Sequence, residues 1–156
     1  MLPLGLGCAV IVIALDQLSK WVILTVVMDP PQIIEVTKFF NLVLVGNRGV
    51  SFGLFASDAM WVQPAFAGFA SLVAVFLAVW MRCAANRFLA LSLGMVIGGA
   101  LGNAIDRLWH GAVVDFLDFH VADYHWPAFN VADSAITIGV VFIIVEGFIA
   151  GPKQTK

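Results

Sequence analysis

Four long apolar stretches fix what this chain can fold into. Residues 2–27, 60–81, 88–109 and 131–149 are nearly uninterrupted runs of aliphatic, aromatic and small side chains. A helix that crosses a bilayer needs about 20 such residues. Over 156 residues, 62% are hydrophobic and only 12% are charged. A water-soluble domain has about 45–50% apolar and about 25% charged residues, and a chain this short could not bury the excess. The expected architecture is an α-helical membrane protein: four transmembrane helices and a small extracytoplasmic β-cradle in a single polytopic domain over residues 1–156.

The short connections set the expected orientation. Arg82 and Arg87 flank the polar turn between the second and third stretches, and Lys153 and Lys156 lie in the tail. On the opposite side only Lys38 and Arg48 are basic, beside Asp29, Glu35 and Asp58. Basic loops stay on the cytoplasmic side, which predicts both termini inside. The first stretch has no Lys or Arg ahead of Cys8 and is expected to remain as a membrane anchor rather than be cleaved. Cys8 and Cys83 have no partner at metal-ligand spacing, and their cytoplasmic-side positions argue against a disulfide. No basic run points to nucleic acid.

The first outer loop, about residues 30–58, is more than a linker. Its segment 33–45 is rich in β-branched and aromatic residues and partly alternates, so short strands are expected at the outer surface. They could add a strand to an extended peptide or simply cap the bundle.

Charged residues inside the stretches demand a reason, because each costs roughly 2.5–3.5 kcal/mol to insert at a helix centre. Asp16 and Lys20 share one face of the first helix, and Asn103, Asp106 and Arg107 share a face of the third. Asp16 and Lys20 could neutralise each other within one helix, while the adjacent Asp106 and Arg107 should reach across, Asp106 to Lys20 and Arg107 to Asp16. Gly94, Gly98 and Gly102, spaced by four with Gly99 alongside, form a stripe that allows close helix packing.

Asp115 follows the third stretch and Asp133 begins the fourth, so both belong at the membrane face that Asp16, Lys20, Asn103, Asp106 and Arg107 crowd. Two carboxylates held close at the edge of a low-dielectric region share a proton. One can then take a proton from water while the other gives one to a carbonyl, which is aspartic-type hydrolysis. The helix-start position of Asp133 favours its charge, leaving the proton to Asp115. A helix-start acid and a turn acid with no chemistry would show the same residues. An ion relay built on the intramembrane charges, or a scaffold packed through the glycine stripe, are rival readings. His110, His120 and His125 share the outer loop with several acids, but no zinc-type motif is present. Ser19, Ser51 and Ser134 have no histidine partner in a span.

Five blocks in order carry a resemblance: Asp16-Gln17-Leu18-Ser19-Lys20, Asn47-Arg48-Gly49-Val50-Ser51-Phe52, Gly98-Gly99-Ala100-Leu101-Gly102-Asn103-Ala104-Ile105-Asp106-Arg107, Val113-Val114-Asp115-Phe116 and Phe129-Asn130-Val131-Ala132-Asp133-Ser134. The chain resembles the lipoprotein signal peptidases, also called signal peptidase II. The resemblance implies a monomeric aspartic endopeptidase of the bacterial inner membrane, without metal or cofactor. It would work near the outer face among membrane lipid. Its substrate would be a prolipoprotein, cleaved just before a cysteine that carries a diacylglyceryl group. Asp115 and Asp133 match the family's catalytic pair. Asp16, Lys20, Asn47, Gly99, Asn103, Asp106, Arg107, Asn130 and Ala132 match its substrate-binding or site-shaping positions. Residues 33–53 match its β-cradle, and the cyclic peptide globomycin is its inhibitor. Arg48 receives no role.

Overall fold

The computed structural model describes residues 1–49 and 59–149. The motif residues Val50, Ser51 and Phe52, the rest of the outer loop to Asp58, and the tail lysines Lys153 and Lys156 lie outside them. Four helices are long and apolar enough to cross a membrane. Helix α1, Leu2–Val22, starts with proline in its first turn and continues into a π-helical segment, Ile23–Val27. Proline suits that start because the first-turn N–H groups have no partner within the helix. Helix α2 is Val62–Met81, α3 is Arg87–His110 and α4 is Val131–Ile149.

The ends of α3 are set by local chemistry. Its start is capped by the Asn86 side chain, whose Oδ1 accepts the Leu89 N–H at 2.8 Å. Its end is set by Gly111, whose φ of +69° is costly for any residue with a Cβ. The chain then enters the sheet.

Four strands form one antiparallel sheet in the order β1-β2-β3-β4: β1 Ile34–Thr37, β2 Phe40–Asn47, β3 Val113–Val121 and β4 Tyr124–His125. The register sets Val45 opposite Asp115 and Asn47 opposite Val113. Strand β3 runs directly out of α3, in the stretch that the sequence reads as an outer loop. The difference has a physical basis: Val113, Val114, Asp115 and Phe116 are all buried, so this strand starts without the polar–apolar alternation of a half-exposed one.

Helix α3 is the hub. Of its apolar window, 67% is buried within the protein, against 17%, 22% and 17% for the other three helices, which turn most of their surface outward. It packs on α1, α2 and α4. At the end far from the sheet the packing is apolar, built on Ala9, Leu77, Met81, Leu89, Ala90 and Leu93. Against α1, Gly94 lies on the Gly5 carbonyl, and a Cβ on Gly98 would sit 2.7 Å from both the Ala9 oxygen and Val12 Cβ. Toward the sheet, a Cβ on Gly102 would lie 2.7 Å from Asp16 Oδ2. On the other side of α3, Gly99 lies against the Ala132 carbonyl of α4. Lipid tails give helices no hydrophobic reason to associate, so close backbone contact must supply the attraction.

That contact yields a prediction. Gly98→Ala forces α1 and α3 apart and costs about 1–3 kcal/mol, more than the ~1 kcal/mol of helix propensity that alanine gains. Thermal unfolding in detergent should show the loss. The control Gly7→Ala, where a Cβ meets nothing within 4 Å, should show none.

Candidate active site

The buried polar side chains collect where the sheet meets the helices. Asp16 and Lys20 reach in from α1, and Asn103, Asp106 and Arg107 from the last turns of α3. Asp115 comes from β3, Asn47 from the end of β2, and Asn130 and Asp133 from the start of α4.

Lys20 Nζ donates to Asp16 Oδ2 and Asp106 Oδ2, each at 2.7 Å, and to Asn103 Oδ1 at 3.2 Å. All three ammonium protons therefore have partners. The expected Asp106–Lys20 pair is present; the expected Arg107–Asp16 pair is not. Arg107 donates instead to the Asn103 carbonyl at 3.3 Å and the Gly49 carbonyl at 3.1 Å, and lies 5.6 Å from the Phe66 ring centroid. The reason is that Asp16 is already taken up by Lys20, Gln17 and the Ala132 N–H. Carbonyl dipoles and an aromatic face hold the terminal nitrogens of Arg107 without a carboxylate, while its buried Nε has no hydrogen-bond partner among the described residues.

Asp133 is held by a capping box at the start of α4. Asn130 Oδ1 accepts the Asp133 N–H at 2.9 Å, and Asp133 Oδ2 accepts the Asn130 N–H at 3.3 Å. Asn103 Nδ2 donates to Asp133 Oδ1 at 2.7 Å. Asp115 accepts from Asn130 Nδ2 at 2.7 Å and from Asn47 Nδ2 at 3.1 Å. Asn130, fully buried, therefore grips both aspartates. Ala132 is also fully buried, between the Asp16 carboxylate and the Gly99 backbone.

Both carboxylates open into one cavity of about 730 Å³. Helix α3 lines it through Val96, Ala100, Asn103 and Arg107, which lie on one helix face, with α2 and α4 on either side. Burial, and then the nearby Asp133 charge, push the Asp115 carboxyl from 3.8 up to about 7, against the pull of the Asn47 and Asn130 hydrogen bonds and the Lys20 charge. A carboxyl so shifted is half protonated near neutrality, as general acid–base work requires.

Other polar groups fall outside this cluster. His125 Nδ1 lies 2.9 Å from Asp118, Asn41 Nδ2 donates to Asp118 at 3.0 Å, and His120 stacks on His125 at 4.7 Å, all within the sheet. Burial raises the Asp118 carboxyl, but the His125 and Asn41 hydrogen bonds outweigh it and leave the group below its usual range. Among the described residues no three His, Cys, Asp or Glu side chains are grouped to hold a metal ion. The Ser134 hydroxyl donates to the Asn130 carbonyl, as a helix-start serine does. Gln17, which the sequence analysis left without a role, donates into the network at Asp16, Asp106 and the Gly102 carbonyl. Its place beside Asp16 was the only hint, because its reach depends on how closely α3 approaches.

The raised Asp115 carboxyl ties stability to pH. Its folded-state value exceeds the unfolded one, so folding takes up a proton between pH 3.8 and about 7 and wild-type stability falls as pH rises through that window. Asp115→Asn has no such group. Its unfolding temperature relative to wild type should climb across that window and level off above it, which thermal scans at several pH values would measure.

The chain is similar to known proteins along most of its length. A family model described as signal peptidase (SPase) II matches residues 8–149. A protein of Rhodopseudomonas palustris named lipoprotein signal peptidase is 43% identical, over 96% of this chain and 94% of its own length. One of the same name from Burkholderia multivorans is 50% identical, over 90% of this chain and 85% of its own. Two solved structures described as bacterial membrane enzymes share the fold. One has a TM-score of 0.82 at 30% identity, covering 97% of this chain and 92% of its own; the other has 0.75 at 34%, covering 97% and 94%.

Proposed function

The chain belongs to the signal peptidase II family, and from that premise we propose that Asp115 and Asp133 are its catalytic pair. It is a multi-pass bacterial membrane protein and an aspartic peptidase, and its family removes signal peptides from prolipoproteins. One observation carries the assignment: two carboxylates from different elements share one cavity, and one of them is raised to about 7.

In this reading a water molecule between the carboxylates attacks the scissile carbonyl carbon. Asp133, at the amino end of α4 where the helix dipole favours an anion, takes the water proton. Asp115 gives its proton to the carbonyl oxygen. The tetrahedral intermediate then collapses. The C–N bond breaks, the proton taken by Asp133 passes to the leaving nitrogen, and Asp115 recovers its own. The products are the signal-peptide carboxylate and the free amine of the cysteine.

Asn47, Asn103 and Asn130 hold and orient the aspartates, and Asp16, Lys20, Asp106, Gly99 and Ala132 shape the floor beneath them. Arg107 lines the cavity and can meet substrate. The apolar walls from α2 and α4, with Phe69, Val73, Ile136 and Ile138, suit an apolar signal helix and leave diacylglyceryl chains beside lipid. Globomycin would compete for the same groove. The site lies at the opposite end of the bundle from the Arg82–Arg87 turn, which supports cytoplasmic termini and a site at the outer face of the inner membrane.

Cleavage of a purified diacylglyceryl-modified prolipoprotein tests this. Asp115→Asn and Asp133→Asn should each lower turnover by about 10³-fold or more while remaining folded. A chelator should change nothing. Turnover surviving in either folded variant would refute the pair. Wild-type activity should fall on the alkaline side with an apparent midpoint near the Asp115 value of about 7, as the acid loses its proton. An alkaline limb that stays flat well above that value would remove Asp115 from the acid role.

A further inference from the structure

The two aspartates of the pair are attached to the bundle in matching ways. Asp16 Oδ1 accepts the N–H of Ala132, the residue before Asp133, at 2.9 Å. Asp106 Oδ2 accepts the N–H of Val114, the residue before Asp115, at 3.0 Å. One buried carboxylate on α1 and one on α3 thus each hold the backbone one step ahead of a reacting side chain. The distance between Asp115 and Asp133 follows from the distance between Asp16 and Asp106.

Two side chains bridge that second distance, both from α1. Lys20 supplies charge, at 2.7 Å to each carboxylate. Gln17 supplies direction: its Nε2 donates to Asp106 Oδ1 at 2.8 Å, with Asp16 Oδ2 at 3.2 Å and the Gly102 carbonyl at 3.3 Å. An ammonium can rotate and still meet both acids, whereas a planar amide fixes the angle at which they approach. Among the described residues that line the cavity, Gln17 is not included.

We propose that Gln17 is a positioning residue which, with Lys20, locks Asp16 to Asp106 and thereby sets the separation of Asp115 and Asp133. The proposal rests on those two aspartates being the catalytic pair. Gln17 touches no substrate, so losing its hydrogen bonds loosens the pair without weakening binding.

The test uses the full-length enzyme and a diacylglyceryl-modified prolipoprotein. Gln17→Met keeps the shape and removes the donors. It should lower kcat about 10–100-fold, the usual effect of displacing reacting groups by a fraction of an ångström to an ångström. KM should stay within about twofold, as for an interaction felt only at the transition state. Gln17→Glu sets a third carboxylate beside Asp16 and Asp106 with the single Lys20 ammonium to offset all three, so crowding of like charge favours its protonated form. As it takes up a proton it regains a donor, so its kcat relative to wild type should rise as pH falls from about 8 to about 6. A role confined to packing would leave that ratio flat.

Wild-type kcat in folded Gln17→Met, or a raised KM with kcat kept, overturns the proposal. If Gln17→Met does not fold, the pH dependence of Gln17→Glu decides by the same ratio. Asp115→Asn and Asp133→Asn run alongside. Turnover surviving in either folded aspartate variant overturns the pair and this proposal together. Turnover lost in both, with Gln17→Met at wild-type kcat, overturns the positioning role alone.

Discussion

The Lys20 ammonium lies 2.7 Å from both Asp16 and Asp106, and only 3% of its side chain is exposed. The rest of the site depends on this contact. Taking an ion of this size out of water costs several kcal/mol even after relaxation, and two carboxylates close together repel as well. A single cation between them offsets both effects. With the charges held, the remaining lone pairs of the two acids are free to accept backbone N–H groups, Ala132 from α4 and Val114 from β3. The ion pair is therefore a joint between four elements, α1, α3, β3 and α4.

Such a joint needs helices that nearly touch. The short Asp16 side chain on α1 reaches α3 and α4 only because Gly98 and Gly102 leave no side chain in the way, and Gly99 lets α4 settle onto the other side of α3. Packing and chemistry are here one requirement. The sheet contributes the opposite kind of order: β2 and β3 fix Asn47 and Asp115 by main-chain hydrogen bonds that do not depend on lipid.

Much of this is written plainly in the sequence, and some cannot be. Four apolar runs announce four helices, because lipid leaves the backbone few other options. The β-branched segment around Val36 to Val45 announces strands through its alternation. Strand β3 is hidden, since burial on both faces removes the alternation that would reveal it. Lys20 with Asp106 follows from charge economy. The partners of Arg107 do not, because carbonyls and a phenyl ring leave no mark in a pattern of charges. Gln17 is silent for a related reason: its neighbours are set by the closeness of α3, a property of the stripe rather than of the residue.

Charge balance connects the scaffold to the chemistry. Asp16, Asp106, Asp115 and Asp133 lie close to Lys20 and Arg107 among the described residues. With all four acids ionised the cluster would hold two uncompensated charges in a poorly polarisable region, and one retained proton halves that excess. The two acids on Lys20 have the ammonium itself, whereas the partners of Asp115 and Asp133 are neutral amides, which favours a proton on that pair. At the other end of α3 the packing is Leu89, Ala90 and Leu93, and the acid there, Glu146, accepts from the Asn86 amide at the helix start rather than lying buried among them. Among the described residues, buried charge is thus confined to one end of the bundle. Confinement suits hydrolysis at a membrane surface, and it opposes a conducting path across the bilayer, which would need polar groups along the whole length of α3.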